Sequence, residues 1–176
     1  MQSIPAKPIT IESLTYDILP TPVGLMGIAK TEKGLCNVQS RIKSEANYRG
    51  YLGKLYSVRP NRNAKKLAGI ANQFEKYFNS ELKAFSFPLD IVQGTPFQRK
   101  VWRQLQTIPY GETRNYSWLA KAVGNPKAHR AVGNANGGNP IPIVIPCHRV
   151  ILSAGGLGGY TRGPSIKKHL LQLENH

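Results

Sequence analysis

The triplet Gly94-Thr95-Pro96 divides this chain into two stretches with different periodicities, and that division constrains the fold more than any other feature. Ahead of it, apolar residues alternate with polar ones at Ile9, Ile11, Tyr16 and Ile18, and again through Phe85, Phe87, Leu89 and Ile91. A period of two marks strands with one buried face. Pro20 to Gly24 interrupts the first set, and Glu32-Lys33-Gly34 has the composition of a hairpin turn. Between the two sets, Leu67, Ile70, Phe74 and Phe78 recur at three- and four-residue steps, which predicts an amphipathic helix over about 62–79. Residues 84–92 are predicted to be a strand, and residues 41–61 show no clean period and receive no element. Behind the triplet the spacing turns helical. Thr95 suits an N-cap and Pro96 the first helical position, with Phe97, Val101, Trp102 and Leu105 on one face. The expectation is a mixed α/β (α+β) protein. A small N-terminal sheet-plus-helix domain over 1–93 precedes a mostly helical C-terminal domain over 94–176, with the boundary near 88–95.

Residues 114–139 sharpen the second half. Tyr116–Val123 reads as a short helix with Leu119, Ala120 and Val123 inward, stopped by Gly124 in a left-handed conformation. Asn125 then reads as the cap of a second helix, about Pro126–Asn136. Helix, short turn, helix is the layout of a helix-turn-helix. Lys127, Arg130 and Asn134 fall on one side of the second helix, with Ala128, Ala131, Val132 and Ala135 on the other. Gly133 in a helix interior costs ~1 kcal/mol against Ala. Close approach compensates for it, and the pattern leaves two candidates open: tight core packing, or a narrow DNA groove.

Charge names the partner class. Lys and Arg number 24 against 9 acids, a net charge of +15. Such an excess favours a polyanion, nucleic acid before an anionic membrane surface. Residues 94–176 hold 11 basic residues and 2 acidic ones, so the second half is the expected DNA face. No run approaches the ~20 apolar residues of a membrane span, and the first residues lack a signal-peptide core. A cytoplasmic or nucleoid-associated location and a monomer in the absence of DNA are expected. Two cysteines make neither a disulfide framework nor a four-thiolate zinc site.

The chemistry centres on the run from Asn139 to Val150, NPIPIVIPCHRV. Ile141, Ile143 and Ile145 alternate as a short buried strand between prolines, with Cys147 at its end, a position both rigid and accessible. A free cysteine is more often an inert core residue. The adjacent His148 changes the balance, because a reactive thiol needs a nearby base. Neighbours in an extended segment point to opposite sides, so a turn at Cys147 or a water between the two groups is needed. Cys36, Trp102 and Trp118 read as core residues.

Pro146-Cys147-His148-Arg149-Val150 resembles the active-site signature of the methylated-DNA–protein-cysteine methyltransferases, the O6-alkylguanine-DNA alkyltransferases. The run from Arg130 to Pro140 (RAVGNANGGNP), Gly158-Gly159-Tyr160 and the stretch from Lys168 to Glu174 (KHLLQLE) extend the resemblance over essentially all of 94–176. It implies a ribonuclease H-like first domain, a winged-helix-like helix-turn-helix, and direct, stoichiometric transfer of an alkyl group from the O6 of guanine, with alkylated thymine as a further substrate class. No cofactor and no metal are implied. By resemblance Cys147 is the nucleophile, His148 the base acting through water, Glu174 the group that orients it, and Asn139 the residue that holds the turn before the cysteine. Arg130 enters the base stack, Tyr116 presses on the phosphate of the flipped nucleotide, and Tyr160 and Thr161 receive the guanine. The second helix lies in the minor groove of double-stranded DNA, which brings Lys127, Ala131, Gly133 and Asn134 to the duplex.

The chain departs from the family in two places. Zinc-binding members use their N-terminal part, whereas residues 1–93 here offer one Cys and no His. Arg162 stands where many relatives have a small residue, which bears on pocket width. No regulatory module is read ahead of the two domains, so a dedicated transcription activator is not expected. Competing readings are a lesion sensor of the same fold, which would lack the cysteine, a Cys-His hydrolase on another fold, and a helix-turn-helix module with a structural cysteine.

Overall fold

The alternation that opens the chain closes into a sheet. The structure, a computed structural model, describes residues 8–175. Strands β1 (Thr15–Leu19), β2 (Met26–Lys30) and β3 (Leu35–Gln39) form an antiparallel meander. The hairpin between β2 and β3 is closed by the Thr31 amide donating to the Gly34 carbonyl at 3.0 Å. A short β4 (Asn61–Arg62) lies parallel to β1 and gives the order β3-β2-β1-β4.

Strand alternation sends successive residues to opposite faces of the sheet. Tyr16 and Ile18 join a core with helix α1 (Glu45–Tyr56), which buries Tyr48, Tyr51, Leu52, Leu55 and Tyr56. Asp17 and Leu19 point the other way, into a groove shared with helix α2 (Ala64–Phe78). Buried hydroxyls need partners. Tyr48 donates to Asn37 Oδ1 at 3.1 Å, and Tyr56 to the Cys36 carbonyl at 3.1 Å. Cys36 is fully buried, its Sγ donates to the Ala29 carbonyl, and burial pushes its thiol up to about 12.

Three expectations for this half need correction. Residues 41–61, left without an element, hold helix α1, capped by Ser44, whose side chain accepts from the Asn47 amide. Residues 84–92 are not a strand. A single bridge joins Leu89 to Leu35, while Phe85 and Phe87 turn their rings onto Phe74 at centroid distances of 5.1 and 6.3 Å. Ile9 and Ile11 lie outside any strand, although both pack on the core.

The chain divides into two compact units between Gln93 and Gly94. The second opens with α3 (Pro96–Leu105), whose Thr95 and Gln98 form a reciprocal capping box. Val101, Trp102 and Leu105 are buried, and Trp102 Nε1 donates to the Ala135 carbonyl at 2.7 Å. Strand β5 (Arg114–Asn115), α4 (Tyr116–Ala122) and α5 (His129–Gly137) follow. Then come a 3-10 turn (Cys147–Arg149), β6 (Val150–Ile151), which pairs in parallel with β5, and α6 (Pro164–Glu174). Gly124 takes a left-handed φ of 75°, as the end of α4 requires.

Here too the structure corrects the sequence. The second helix of the pair begins at His129 rather than Pro126, with Asn125, Pro126 and Lys127 in the preceding turn and no side-chain cap. Ala131 is exposed instead of lying with Val132 and Ala135. Trp118 is half-buried, with the Arg114 guanidinium 5.7 Å over its ring. Ile141, Ile143 and Ile145 are buried but do not form a strand. The Ile145 amide donates to the Ile141 carbonyl at 2.9 Å, and Ile143 has a φ of 77°, a conformation a β-branched residue rarely adopts. The prolines at 140, 142 and 146 remove the amides a strand ladder would use. Among the described residues no helix is long and apolar enough to cross a membrane.

Candidate active site

The tight turn before Cys147 is held by one side chain. Asn139, fully buried, donates from Nδ2 to the Ile145 carbonyl at 2.7 Å and accepts the Ile141 amide on Oδ1 at 2.9 Å. The turn delivers Cys147 to the start of the 3-10 segment, where its amide donates to Ile145 at 2.8 Å and its carbonyl accepts from Asn136 Nδ2 at 3.2 Å. The sulfur is therefore not at an accessible strand end, as the sequence suggests, but completely buried. Sγ sits 3.8 Å from the Tyr160 hydroxyl.

Tyr160 and Asn136 also line a cavity of about 400 Å³, with Tyr116, Gly133, Gly137, Thr161 and Arg162 around them. Two residues that touch Cys147 thus form part of the cavity wall. A Cβ on Gly137 would lie 2.8 Å from Thr161 Oγ1, so the Thr161 loop approaches α5 as closely as glycine permits. Burial raises the hydroxyl pKa of Tyr116 and of Tyr160, so both remain protonated donors at neutral pH.

Behind the cysteine lies a buried charge network. His148 Nε2 is 2.9 Å from Glu174 Oε1. Arg149 grips the same carboxylate with Nε to Oε2 at 2.8 Å and Nη2 to Oε1 at 2.9 Å, and donates from Nη1 to the Ile108 carbonyl at 2.6 Å. Burial alone would raise the Glu174 carboxyl, but its hydrogen bonds from His148 and Arg149 outweigh that and hold it well below the usual carboxylate range. Burial pushes His148 down, and the bond to Glu174 only partly offsets the push. The pair is therefore a carboxylate and a neutral imidazole. A carboxylate only accepts, so Nε2 carries the ring proton and Nδ1 keeps its lone pair. Nδ1 is buried and has no partner among the described residues. A neutral base beside a thiol, oriented by a fixed carboxylate, is the arrangement nucleophilic catalysis uses. Cys147–Arg149 forms a 3-10 turn, and among the described residues no hydrogen bond joins the His148 ring to Cys147 Sγ.

This constellation matches known proteins along its length. Residues 96–176 match the family described as 6-O-methylguanine DNA methyltransferase, DNA binding domain. Residues 14–91 match its ribonuclease-like domain. A methylated-DNA–protein-cysteine methyltransferase of Methanosarcina barkeri is 43% identical over 92% of this chain and 97% of the relative. This chain belongs to the 6-O-methylguanine DNA methyltransferase family. The O6-methylguanine methyltransferase of Mycobacterium tuberculosis is 39% identical and superposes with a TM-score of 0.80 over 92% of this chain and 93% of that one. A Mycobacterium tuberculosis OGT solved in complex with DNA superposes with a TM-score of 0.80 over 92% of each chain.

Of the residues singled out in this methyltransferase sequence, Asn139 and Cys147 share the Ile145 carbonyl, His148 pairs with Glu174, and Tyr116, Gly133, Tyr160 and Thr161 line the cavity. Lys127, Arg130, Ala131 and Asn134 do not line it and are exposed along α5 and the turn before it. Three residues escaped the sequence reading. Arg149 fixes Glu174, and Asn136 fixes the Cys147 backbone. Lys167, fully buried, donates to the Val150 and Leu157 carbonyls and so ties down the loop that carries Tyr160. Burial pushes its ammonium down to about 8. A signal existed: Lys167 and Glu174 are seven apart, on the same stripe of α6 as Ile166 and Leu170. A charge on an apolar helix face marks a buried partner.

Proposed function

We propose that this chain repairs DNA by moving the alkyl group of O6-alkylguanine onto Cys147, once per molecule. The observation that carries the reading is the buried Cys147, followed in sequence by a neutral His148 whose only open nitrogen is Nδ1, behind the Tyr160–Asn136 wall of a cavity large enough for a base. His148 takes the thiol proton through a water, Glu174 fixes the ring, and Asn139 holds the turn. The sulfur displaces guanine O6 at the alkyl carbon. A thioether is a poor leaving group, so the cysteine is not regenerated.

A base inside a duplex cannot reach a buried sulfur, so the nucleotide must leave the stack, at a cost of a few kcal/mol. In this reading Arg130, exposed at the start of α5, fills the gap, with Lys127, Ala131, Gly133 and Asn134 against the minor groove and Tyr116 at the phosphate of the flipped nucleotide. Tyr160 and Thr161 receive the base. The 11-to-2 basic excess of residues 94–176 supports double-stranded DNA as partner, and a Mycobacterium tuberculosis relative has been solved with DNA. We place the protein in the cytoplasm, with the nucleoid, as a monomer until it meets DNA. Alkylated thymine is a second substrate class.

Intact mass after mixing with duplex containing O6-methylguanine tests the reading. The expected result is one added methylene on Cys147, none in Cys147→Ala, and unchanged DNA affinity in that variant. Transfer that survives Cys147→Ala and disappears in Cys36→Ala would reverse the assignment.

A further inference from the structure

Among the described residues Arg162 has no counter-ion. It lines the cavity next to Tyr160, whose hydroxyl is 3.8 Å from Cys147 Sγ. Its guanidinium makes one hydrogen bond within the protein, from Nη2 to the Asn139 carbonyl at 2.7 Å, and its Nε is enclosed without a partner among the described residues. Among the described residues of 94–176, neither side-chain carboxylate is free to neutralise it. Glu112 and Glu174 are the acids of residues 94–176. The first pairs with Arg114 at 2.6 Å, and the second is bound by His148 and Arg149. A half-buried cation on a pocket wall with unsatisfied donors calls for an anion from outside the fold.

We propose that Arg162 makes this pocket selective for O6-alkyl groups that end in a carboxylate, the O6-carboxymethyl class. The inference rests on the proposed alkyl transfer and adds a substrate class to it. An anionic alkyl group must approach a thiolate, and like charges oppose that approach. A guanidinium at the same wall offsets the repulsion and binds the carboxylate with charge-assisted hydrogen bonds. The hold on the Asn139 carbonyl fixes the guanidinium to the turn that positions Cys147, so the cation and the sulfur keep a constant relation. The chemistry is the same displacement. The S–C bond forms at the methylene carbon, and the C–O6 bond breaks with its electron pair going to O6. The thiol gives up one proton and the guanine takes one in returning to its keto form. The products are S-carboxymethylcysteine and guanine, with the carboxylate unchanged.

The experiment compares single-turnover transfer rates of the full chain on two duplexes, one with O6-carboxymethylguanine and one with its neutral isostere O6-carbamoylmethylguanine, read by intact mass. The wild type is expected to favour the carboxylate about tenfold, the ratio that ~1.4 kcal/mol of added hydrogen bonding to a charged group produces. Arg162→Gln, which keeps an amide donor for the Asn139 carbonyl, brings the ratio to about one, and Arg162→Lys retains most of it. Because each protein is its own control, a general loss of folding or activity does not move the ratio. A wild-type ratio of one overturns the proposal. So does a ratio that persists in Arg162→Gln while all rates fall together, which would make Arg162 a phosphate contact. Absence of transfer from O6-methylguanine in the wild type would instead remove the underlying function.

Discussion

The buried trio of His148, Arg149 and Glu174 contributes to stability and, on the proposed mechanism, to the chemistry at Cys147. Removing one partner of a buried charge pair typically costs ~3–5 kcal/mol, because the other charge is left uncompensated. Glu174→Gln is expected to destabilise by that amount in chemical denaturation at pH 7 and to slow transfer. The pH response has a fixed sign. Below about 6.5, the ordinary value for histidine, an unfolded chain protonates His148 while the folded ring, pushed down by burial, refuses the proton. Near 4.5 the unfolded chain protonates Glu174 while the folded carboxyl stays ionised. In both windows the unfolded state binds more protons, so stability falls as pH falls. The denaturation midpoint should drop between pH 7 and pH 5, and drop less in His148→Gln. Equal drops in the two proteins would show that the ring titrates normally. Asn139→Ala removes two buried hydrogen bonds across a turn that already holds Ile143 at positive φ, and should cost ~2–3 kcal/mol. A loss under ~1 kcal/mol in a denaturation curve would mean the turn stands without it.

At the level of elements, what could be read from the sequence depended on whether local and tertiary preferences agreed. Helices α2, α3 and α4 announced themselves because local signals and burial point the same way: the spacing of Leu67, Ile70, Phe74 and Phe78, Thr95 ahead of Val101, Gly124 after Leu119. Helix α1 was hidden because its buried face is made largely of tyrosines and its exposed side carries Gly50. The alternation at Phe85–Ile91 looked like a strand, but aromatic packing on Phe74 replaced a ladder. In the candidate site the proposed nucleophile and base stand out by adjacency, while the burial of Arg149 and Lys167 does not, since only folding shows which cations are buried. Helix α5 carries its own prediction. Arg130 is exposed at its start, where it can enter a duplex. Arg130→Ala should slow repair in duplex DNA far more than reaction with free O6-benzylguanine, which needs no flipping, and Arg130→Lys should restore part of the loss. Equal proportional losses on both substrates would assign Arg130 to the pocket or the fold.

For the whole molecule the controlling quantity is charge. A net +15 with its acids concentrated in the first half predicts binding that is strongly salt-dependent and weakly sequence-dependent. Affinity for undamaged duplex should fall with a log–log slope of roughly −0.9 per phosphate neutralised, measured by fluorescence anisotropy over a salt series. Minor-groove readout separates little beyond A·T from G·C, so scrambled duplexes should bind alike. A salt-independent affinity, or a strong preference for one undamaged sequence, would point to another partner.

The last turn of α6 has a consequence in time as well as in space. Glu174 lies 26 residues after His148. Chains are made from the N-terminus at about 5–20 residues per second. The ribosome therefore adds Cys147, His148 and Arg149 a second or more before the carboxylate that joins the latter two, and α6 must clear the exit tunnel before it can dock. Until α6 docks, the His148 ring lacks the carboxylate that pairs with it. The pairing of His148 with Glu174 is thus a tertiary event, completed by the docking of α6 on the 3-10 turn rather than by any local preference of the chain around Cys147.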